Sequence, residues 1–278
     1  MSVFIVQGPH LSPGAPAELS AVSGATRVTP AGPGVLHLFG VTDPEGLGRH
    51  ARTLRLDVTQ LQELRPLRDF RLLAMDMDST LITIECIDEI ADFAGVKPQV
   101  AAITAAAMRG ELDFPGALRA RVALLKDLEA SVLQRVYDER LRLSPGAETL
   151  LAAARAAGLR TLLVSGGFTY FTGQLQARLG LDFTLANELE IVGGRLTGRV
   201  AGDIVDADAK AARVASACAE LGCDVDRAIV IGDGANDLKM MRGAGLSVAY
   251  RAKPVVQQQA GAALNFCGLD GVLALCPG

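Results

Sequence analysis

Three short apolar runs, each ending at a polar cluster, constrain the fold of this chain more than any other feature. The runs occupy residues 71–75, 161–164 and 228–231, and the polar clusters that follow them occupy 76–80, 165–167 and 232–237. Continuous apolar runs separated by helical patterns are typical of parallel strands that are buried on both faces. In an open parallel sheet the ligand site lies beyond the carboxyl ends of the strands. The sequence therefore predicts an α/β fold with all three polar clusters at one edge of its sheet.

A long helical stretch separates the first apolar run from the second. Residues 84–143 contain four helical patterns, near 86–94, 98–109, 115–127 and 130–142. Strand–helix connections usually have about 2–6 residues, so this stretch is too long to be a simple loop. We interpret residues 84–143 as a helical cap inserted over the active edge of a core formed by 67–83 and 144–278. The alternative is that these helices merely extend the core.

Two shorter patterns complete the predicted core. Ser144-Pro145-Gly146 predicts the start of a helix with Ser144 as its N-cap, and Gly158 predicts its end. Alternating residues on both sides of a Gly-Gly pair predict a two-stranded hairpin over 188–200.

Residues 1–66 have a different character and are rich in proline and glycine. Strands are predicted over 2–7 and 34–39, with a helix near 45–54, and no chemical motif occurs among them. We expect a small α+β extension that resembles a degenerate regulatory module. Its expected role is packing against the core or forming a homodimer.

Composition and charge exclude several classes of protein. The 278 residues include 27 Lys and Arg against 31 Asp and Glu, a net charge of −4. Nucleic-acid-binding proteins carry a basic face, so no nucleic-acid partner is expected. No run of 18 apolar residues and no basic leader occurs, which argues against a membrane span and a secretory signal. Five cysteines without a CxxC pair indicate reduced thiols and a cytoplasmic protein.

Histidine is confined to the first fifth of the chain. The three histidines are His10, His37 and His50. A site built from the later polar clusters therefore works without imidazole, which excludes a Ser-His-Asp triad or a histidine-ligated zinc ion there.

The polar clusters carry a pattern suited to phosphoryl transfer. Asp76 and Asp78 are two residues apart at a strand end and share a face, while Asp233 and Asp237 follow another strand. Clustered carboxylates without His or Cys favour Mg²⁺. The amides of the Ser165-Gly-Gly turn can cradle phosphate oxygens. A carboxylate nucleophile beside a metal, a lysine and such donors fits phosphoryl transfer.

The order of these motifs resembles the haloacid dehalogenase (HAD) superfamily of aspartyl-phosphate hydrolases, and within it the phosphoserine phosphatases. The resemblance rests on DxDST at 76–80, SGG at 165–167, Lys210 and GDGxND at 232–237. Further support comes from 85–90, 108–114 and 121–127, and the match spans about 70–275. It implies a Rossmannoid parallel sheet, a C1-type inserted helical cap and a small N-terminal α+β extension.

The resemblance also implies roles for the acidic residues. Asp76 would attack phosphorus and become the aspartyl-phosphate, and Asp78 would be the general acid and base. Mg²⁺ would be held by the Asp76 side chain, the Asp78 carbonyl and Asp233, with Asp237 supporting the site from behind.

The remaining implied residues bind substrate. The phosphoryl group would be bound by Ser165, Gly166, Lys210 and Asn236. From the cap, Glu85 would meet the substrate ammonium and Arg121 its carboxylate, while Met108 and Phe114 would close over the site. The implied reaction is the hydrolysis of O-phosphoserine to serine and phosphate, the last step of serine biosynthesis.

Several alternatives remain open from the sequence. The substrate could be another small phosphomonoester, or the phosphoryl group could pass to an alcohol such as homoserine. A nucleotide-binding oxidoreductase is another alternative, because residues 231–237 resemble a GxGxxG motif, but Asp237 replaces the third glycine. A binding protein without catalysis would not need the intact acidic residues. Individually, Lys210 could be a solvated charge at a helix start, Arg121 a surface residue, and Met108 and Phe114 core residues.

Overall fold

A computed structural model describes residues 2–277 of the chain as two β-sheets with helices packed against them. The eleven strands are β1 (Val3–Gln7), β2 (Arg27–Gly32), β3 (Val35–Phe39), β4 (Asp57–Leu61), β5 (Leu72–Met75), β6 (Arg160–Phe168), β7 (Phe183–Val192), β8 (Arg195–Ala201), β9 (Ala228–Gly232), β10 (Leu246–Tyr250) and β11 (Ala262–Leu264). The twelve α-helices are α1 (Ala15–Ser23), α2 (Pro44–Thr53), α3 (Cys86–Phe93), α4 (Lys97–Met108), α5 (Phe114–Ala123), α6 (Ser131–Arg135), α7 (Ala147–Ala156), α8 (Thr169–Leu179), α9 (Ala207–Glu220), α10 (Leu238–Met241), α11 (Pro254–Gln259) and α12 (Val272–Leu275).

The larger sheet confirms the predicted α/β fold. Its seven strands have the order β11-β10-β9-β5-β6-β7-β8. All neighbours are parallel except β7 and β8, which form the predicted antiparallel hairpin. The three apolar runs form the adjacent strands β9, β5 and β6. Because these strands run parallel, the polar clusters that follow them meet at one edge of the sheet.

Strand β6 extends further than the apolar run and bulges at its end. Its pairing with β7 passes from Val164 opposite Leu185 to Phe168 opposite Asn187. Four residue steps on β6 therefore correspond to two on β7, so the Ser165–Gly167 turn leaves the plane of the sheet. This bulge projects the turn toward the acidic strand ends.

Helices α3 to α6, which we call the cap, lie close to the four predicted helices. The cap lies between β5 and α7 and packs against the hairpin. Asp127 and Ala130 donate backbone hydrogen bonds to Leu196 and Gly194, and α5 also packs on β8.

The predicted start of α7 is wrong by two residues. The helix begins at Ala147 rather than with Ser144 as its N-cap, and Gly146 occupies the capping position with φ +77°. A left-handed residue cannot continue a right-handed helix, so Gly146 separates Ser144 from the first turn. The predicted end is confirmed, because Gly158 follows α7 with φ +83°.

The N-terminal residues form an antiparallel sheet of order β2-β3-β1-β4, with α1 and α2 packed against it. The two predicted strands and the predicted helix correspond to β1, β3 and α2. Helix α1 and strands β2 and β4 were not predicted. Residue 1 of the predicted extension lies outside the described residues, as does residue 278 of the predicted core.

Two further features concern membrane spans and cysteines. Between residues 2 and 277, no helix combines the length and the hydrophobicity needed to cross a bilayer. The five cysteines are free thiols, and three of them are buried.

Candidate active site

A cleft of about 340 Å³ lies between the helical cap and the carboxyl edge of the large sheet. Ten of the twelve predicted site residues line it, namely Asp76, Asp78, Glu85, Met108, Phe114, Arg121, Ser165, Gly166, Asp233 and Asn236. The other two, Lys210 and Asp237, are buried directly beneath Asp76. The predicted residues therefore converge on one place.

Asp76 is held so that one of its two carboxylate oxygens remains open. Its Oδ1 accepts hydrogen bonds from the Met77 amide at 2.7 Å and from Lys210 Nζ at 2.9 Å. Its Oδ2 accepts none within residues 2–277. Burial and the neighbouring Asp237 raise the pKa of Asp76 well above its usual range. Asp76 thus presents a fixed but unengaged oxygen at the floor of the cleft.

Lys210 is a buried charge that bridges two carboxylates. It is 1% exposed, and its Nζ lies 2.9 Å from Asp76 Oδ1 and 2.8 Å from Asp237 Oδ1. Burial opposes the charged form, but the two carboxylates outweigh it and raise the pKa of Lys210. The side chain is delivered by the first turn of α9, where Asp206 accepts the amides of Asp208 and Ala209.

Three carboxylates in the cleft fit a metal site. One oxygen from each of Asp76, Asp233 and Asp237 lies within 4.8 Å of the others. Thr80 donates to Asp233 Oδ1 at 3.2 Å, which orients that carboxylate. Burial, Asp237 and Glu85 raise the pKa of Asp233 to about 6, while Thr80 and Lys210 oppose the shift. A donor set made entirely of oxygen with excess negative charge suits a hard divalent cation.

Asp78 lines the cleft with a carboxyl group whose pKa lies near neutral pH. Its Oδ1 accepts the Cys86 amide at 3.0 Å. Burial and the Glu85 carboxylate raise the pKa of Asp78 to about 7. Its other oxygen would lie 2.6 Å from a Cβ at Gly167, so a side chain there would force the carboxylate to move. A carboxyl group with this pKa can act as acid or base near neutral pH.

The Ser165–Gly167 turn presents hydrogen-bond donors to the cleft. Ser165 is fully buried, and its Oγ accepts the Gly167 amide at 2.8 Å. The Phe114 ring of the cap lies next to Gly166 and covers this turn.

The cap side of the cleft carries one acidic and one basic side chain, those of Glu85 and Arg121. Glu85 is open to the cleft and accepts a hydrogen bond from Ser79 Oγ at 2.7 Å. Desolvation by the cleft walls raises the pKa of Glu85, while nearby Arg121 and Lys253 oppose the shift. Arg121 reaches the cleft from α5, with Nε donating to its own helix at Ala117.

Met108 marks the mouth of the cleft. Its side chain lines the opening but remains 69% exposed. The structure therefore places Met108 at the entrance, with its thioether still open to solvent.

Ser79, Thr80 and Lys253 were not predicted as site residues, although each forms a hydrogen bond with a residue that was. Thr80 and Ser79 belong to the DxDST motif, and Ser79 adopts a left-handed conformation with φ +56°. Lys253 lines the cleft and donates its amide to the Asp233 carbonyl at 3.2 Å. The available signals were the motif itself and the rarity of lysine, which occurs five times in the chain.

One class of hydrolase combines the features of this site. They are a pair of carboxylates at a strand end, a buried lysine and a bulged glycine turn beneath the cap. The family model of haloacid dehalogenase-like hydrolases matches residues 73–242. The chain belongs to this family.

Several individual proteins are similar to this chain in sequence or in fold. The chain is 55% identical over 214 residues to a phosphoserine phosphatase of Polaromonas sp., covering 75% of this chain and 91% of that protein. Its fold is similar to a probable phosphoserine phosphatase from Vibrio cholerae in unliganded form, with a TM-score of 0.86 and 38% identity, covering 99% of this chain and 86% of the other. It is also similar to a phospho-aspartyl intermediate analogue of phosphoserine phosphatase, with a TM-score of 0.70 and 35% identity. The match covers 77% of this chain and 100% of the other.

Proposed function

We propose that this protein is a Mg²⁺-dependent phosphoserine phosphatase that hydrolyses O-phosphoserine to serine and phosphate through an aspartyl-phosphate. The observation that carries this proposal is the geometry of Asp76, with one oxygen fixed by Met77 and Lys210 and the other open to the cleft. The names of the similar proteins agree with this substrate and this intermediate.

In the first step, the open oxygen of Asp76 attacks phosphorus and the bond from phosphorus to the serine oxygen breaks. The departing oxygen takes the proton of Asp78, whose pKa of about 7 keeps much of it protonated near neutral pH. Ser165 and Gly166 donate hydrogen bonds to the phosphoryl oxygens, with Asn236 and buried Lys210 completing the phosphate site. Mg²⁺, held by Asp76, the Asp78 carbonyl and Asp233 with Asp237 in support, would supply positive charge that neutralises the phosphoryl group.

In the second step, Asp78 acts as a base. Its carboxylate takes a proton from water, the water oxygen attacks phosphorus, and the bond to Asp76 breaks. Phosphate leaves, and both aspartates return to their starting states.

Specificity for an amino-acid phosphate comes from the cap. Glu85 faces the substrate ammonium and Arg121 the substrate carboxylate, so the cleft carries one partner for each charge of the zwitterion. Met108 and Phe114 would close over the bound molecule. We further propose a cytoplasmic location, which the five free thiols support, and a homodimer formed through the N-terminal sheet.

The decisive experiment measures phosphate release from phosphoserine with Mg²⁺ and with EDTA, beside sugar and nucleotide phosphates and with homoserine as a competing acceptor. We expect Mg²⁺-dependent release with a clear preference for phosphoserine. Trapping with beryllium fluoride should place the adduct on Asp76. An adduct on another residue, or faster transfer to homoserine than to water, would contradict the proposal.

A further inference from the structure

Asn187 joins two parts of the site that are distant along the chain. It lies on β7, is 1% exposed, and its Nδ2 donates to the Gly166 carbonyl at 2.8 Å. Its Oδ1 accepts the amide of Val205, also at 2.8 Å. Gly166 belongs to the bulged turn, while Val205 immediately precedes Asp206, the N-cap of the helix that carries Lys210. One buried side-chain amide therefore connects the phosphate-binding turn to the lysine helix.

The bulge explains why a side chain is needed at this position. Between the pairs Val164–Leu185 and Phe168–Asn187 the turn leaves the sheet. The Gly166 carbonyl then lies outside the regular ladder, where a buried acceptor without a partner is costly. The Asn187 side chain supplies the hydrogen bond that the strand backbone does not.

The same contact sets the orientation of the peptide group that joins Gly166 to Gly167. In a trans peptide the carbonyl and the following N–H point in opposite directions. Anchoring the Gly166 carbonyl on Asn187 therefore aims the Gly167 N–H at Ser165 Oγ, which accepts it at 2.8 Å. Since Ser165 Oγ is engaged as an acceptor, its own proton is free to donate, and it finds no acceptor among residues 2–277.

We propose that Asn187 is a positioning residue for phosphoryl binding. Through Gly166 and Gly167 it orients the Ser165 hydroxyl, and through Val205 it holds this turn in register with the helix of Lys210. Only a side chain that both donates and accepts can make the two contacts, which is why an amide suits this place. The inference rests on the proposed function, because it assumes that the turn binds a phosphoryl group.

The test compares Asn187→Asp and Asn187→Leu with the unaltered chain. The aspartate variant keeps the shape and the acceptor for Val205 but offers no hydrogen to Gly166 when ionised. We expect kcat/KM to fall about 100-fold, the scale of a misplacement of about 1 Å in a reacting group. The loss should be equal for phosphoserine and p-nitrophenyl phosphate, and inhibition by inorganic phosphate should weaken in parallel, because all three present the same phosphoryl oxygens.

Thr161→Val is the matched control. Thr161 is buried at the opposite end of β6, where its hydroxyl donates to the Asp182 carboxylate and accepts the Asp182 amide. This variant also removes one donated and one accepted hydrogen bond, but far from the cleft. We expect a similar fall in melting temperature and nearly unchanged kinetics.

Three outcomes separate the possibilities. Asn187 variants within about threefold of the unaltered chain in both kinetics and phosphate inhibition would overturn the inference, as would an equal kinetic loss in Thr161→Val. If Asn187→Leu does not fold, the nearly isosteric Asn187→Asp still decides. If the unaltered chain does not hydrolyse phosphoserine, the proposed function fails, while calorimetric titration with inorganic phosphate still tests the positioning role.

Discussion

Single residues in the cleft carry more negative charge than the buried lysine balances. Asp76, Asp233 and Asp237 surround one Lys210. Burial and repulsion raise the pKa of Asp233 to about 6, whereas an unfolded aspartate titrates near about 3.9. Between these values the folded chain binds more protons than the unfolded chain, so this residue makes folding less favourable as pH rises through that window.

This charge balance predicts an unusual stabilising variant. In EDTA at pH 7, Asp233→Asn should melt at a higher temperature than the unaltered chain, because it removes a half-buried charge that Asp237 repels. The advantage should shrink as pH falls from about 6 toward about 4, where Asp233 becomes protonated in the folded state and then in the unfolded state. With Mg²⁺ at pH 7 the order should reverse, because the unaltered chain retains a ligand whose binding stabilises the folded state.

Differential scanning fluorimetry across this pH range measures the effect. Asp203→Asn serves as the control, since Asp203 is exposed and makes no side-chain hydrogen bond within residues 2–277. A lower melting temperature for Asp233→Asn than for the unaltered chain in EDTA at pH 7 would contradict this account.

The place of a residue in the site could be predicted from the sequence where the residue belongs to a recognisable motif. The two acidic clusters and the glycine turn follow directly from their places at strand ends. The environment of Lys210 could not be predicted, because a lysine near a helix start is solvated or buried according to how the helix packs on the sheet. Asn187 was missed for a related reason: its role depends on a bulge that no short pattern specifies.

At the scale of elements, helix α5 places its two arginines in different surroundings. Arg121 reaches into the cleft, while Arg119 on the same helix is exposed to solvent. In the proposed mechanism the phosphoryl group is bound at the sheet, and the rest of the substrate is bound by the cap. Binding of the phosphoryl group and recognition of the amino acid should therefore be separable by mutation.

Arg121→Ala should weaken catalysis selectively. Loss of a charge-assisted hydrogen bond of about 1.5–3 kcal/mol corresponds to a fall of about 10–100-fold in kcat/KM for phosphoserine. Activity on p-nitrophenyl phosphate, which has no carboxylate, should change little. Steady-state kinetics on both substrates, with Arg119→Ala as control, measure the ratio. Equal losses on the two substrates would mean that Arg121 serves the fold or the phosphate instead.

Helices and strands were predictable where their patterns are strong. The cap helices and the buried strands carry clear periodicity or continuous apolar runs. Strand β2 carries neither, because it lies at the sheet edge, is largely exposed and contains Pro30. The start of α7 was misplaced because Ser144-Pro145-Gly146 has the composition of a helix start, while the left-handed Gly146 delays the helix to Ala147.

At the scale of the whole molecule, one carboxylate attaches the N-terminal sheet to the core. Asp57 on β4 is buried, and its oxygens accept the backbone amides of Asn265, Phe266 and Cys267 just after β11. The guanidinium group of Arg55 also lies over the Phe266 ring. These contacts join the edge of the small sheet to the edge of the large one.

Asp57→Ala should destabilise the chain without changing its chemistry. The variant leaves three half-buried amides without their acceptor, which should cost about 2–4 kcal/mol of unfolding free energy. Urea denaturation monitored by circular dichroism measures this, with the exposed Asp203→Ala as control. The kcat/KM of the folded variant should stay within about twofold of the unaltered chain. A large kinetic loss in a folded Asp57→Ala would show that the N-terminal sheet affects the cleft.

The N-terminal sheet and the β7–β8 hairpin lie at opposite edges of the large sheet. The N-terminal sheet joins at β11 and the hairpin at β8, while the acidic strand ends belong to β9 and β5 in the middle. With neighbouring strands about 4.8 Å apart, β11 lies about 14 Å from β5. A change at the junction around Asp57 therefore acts at the edge opposite the hairpin, on which the cap helices pack.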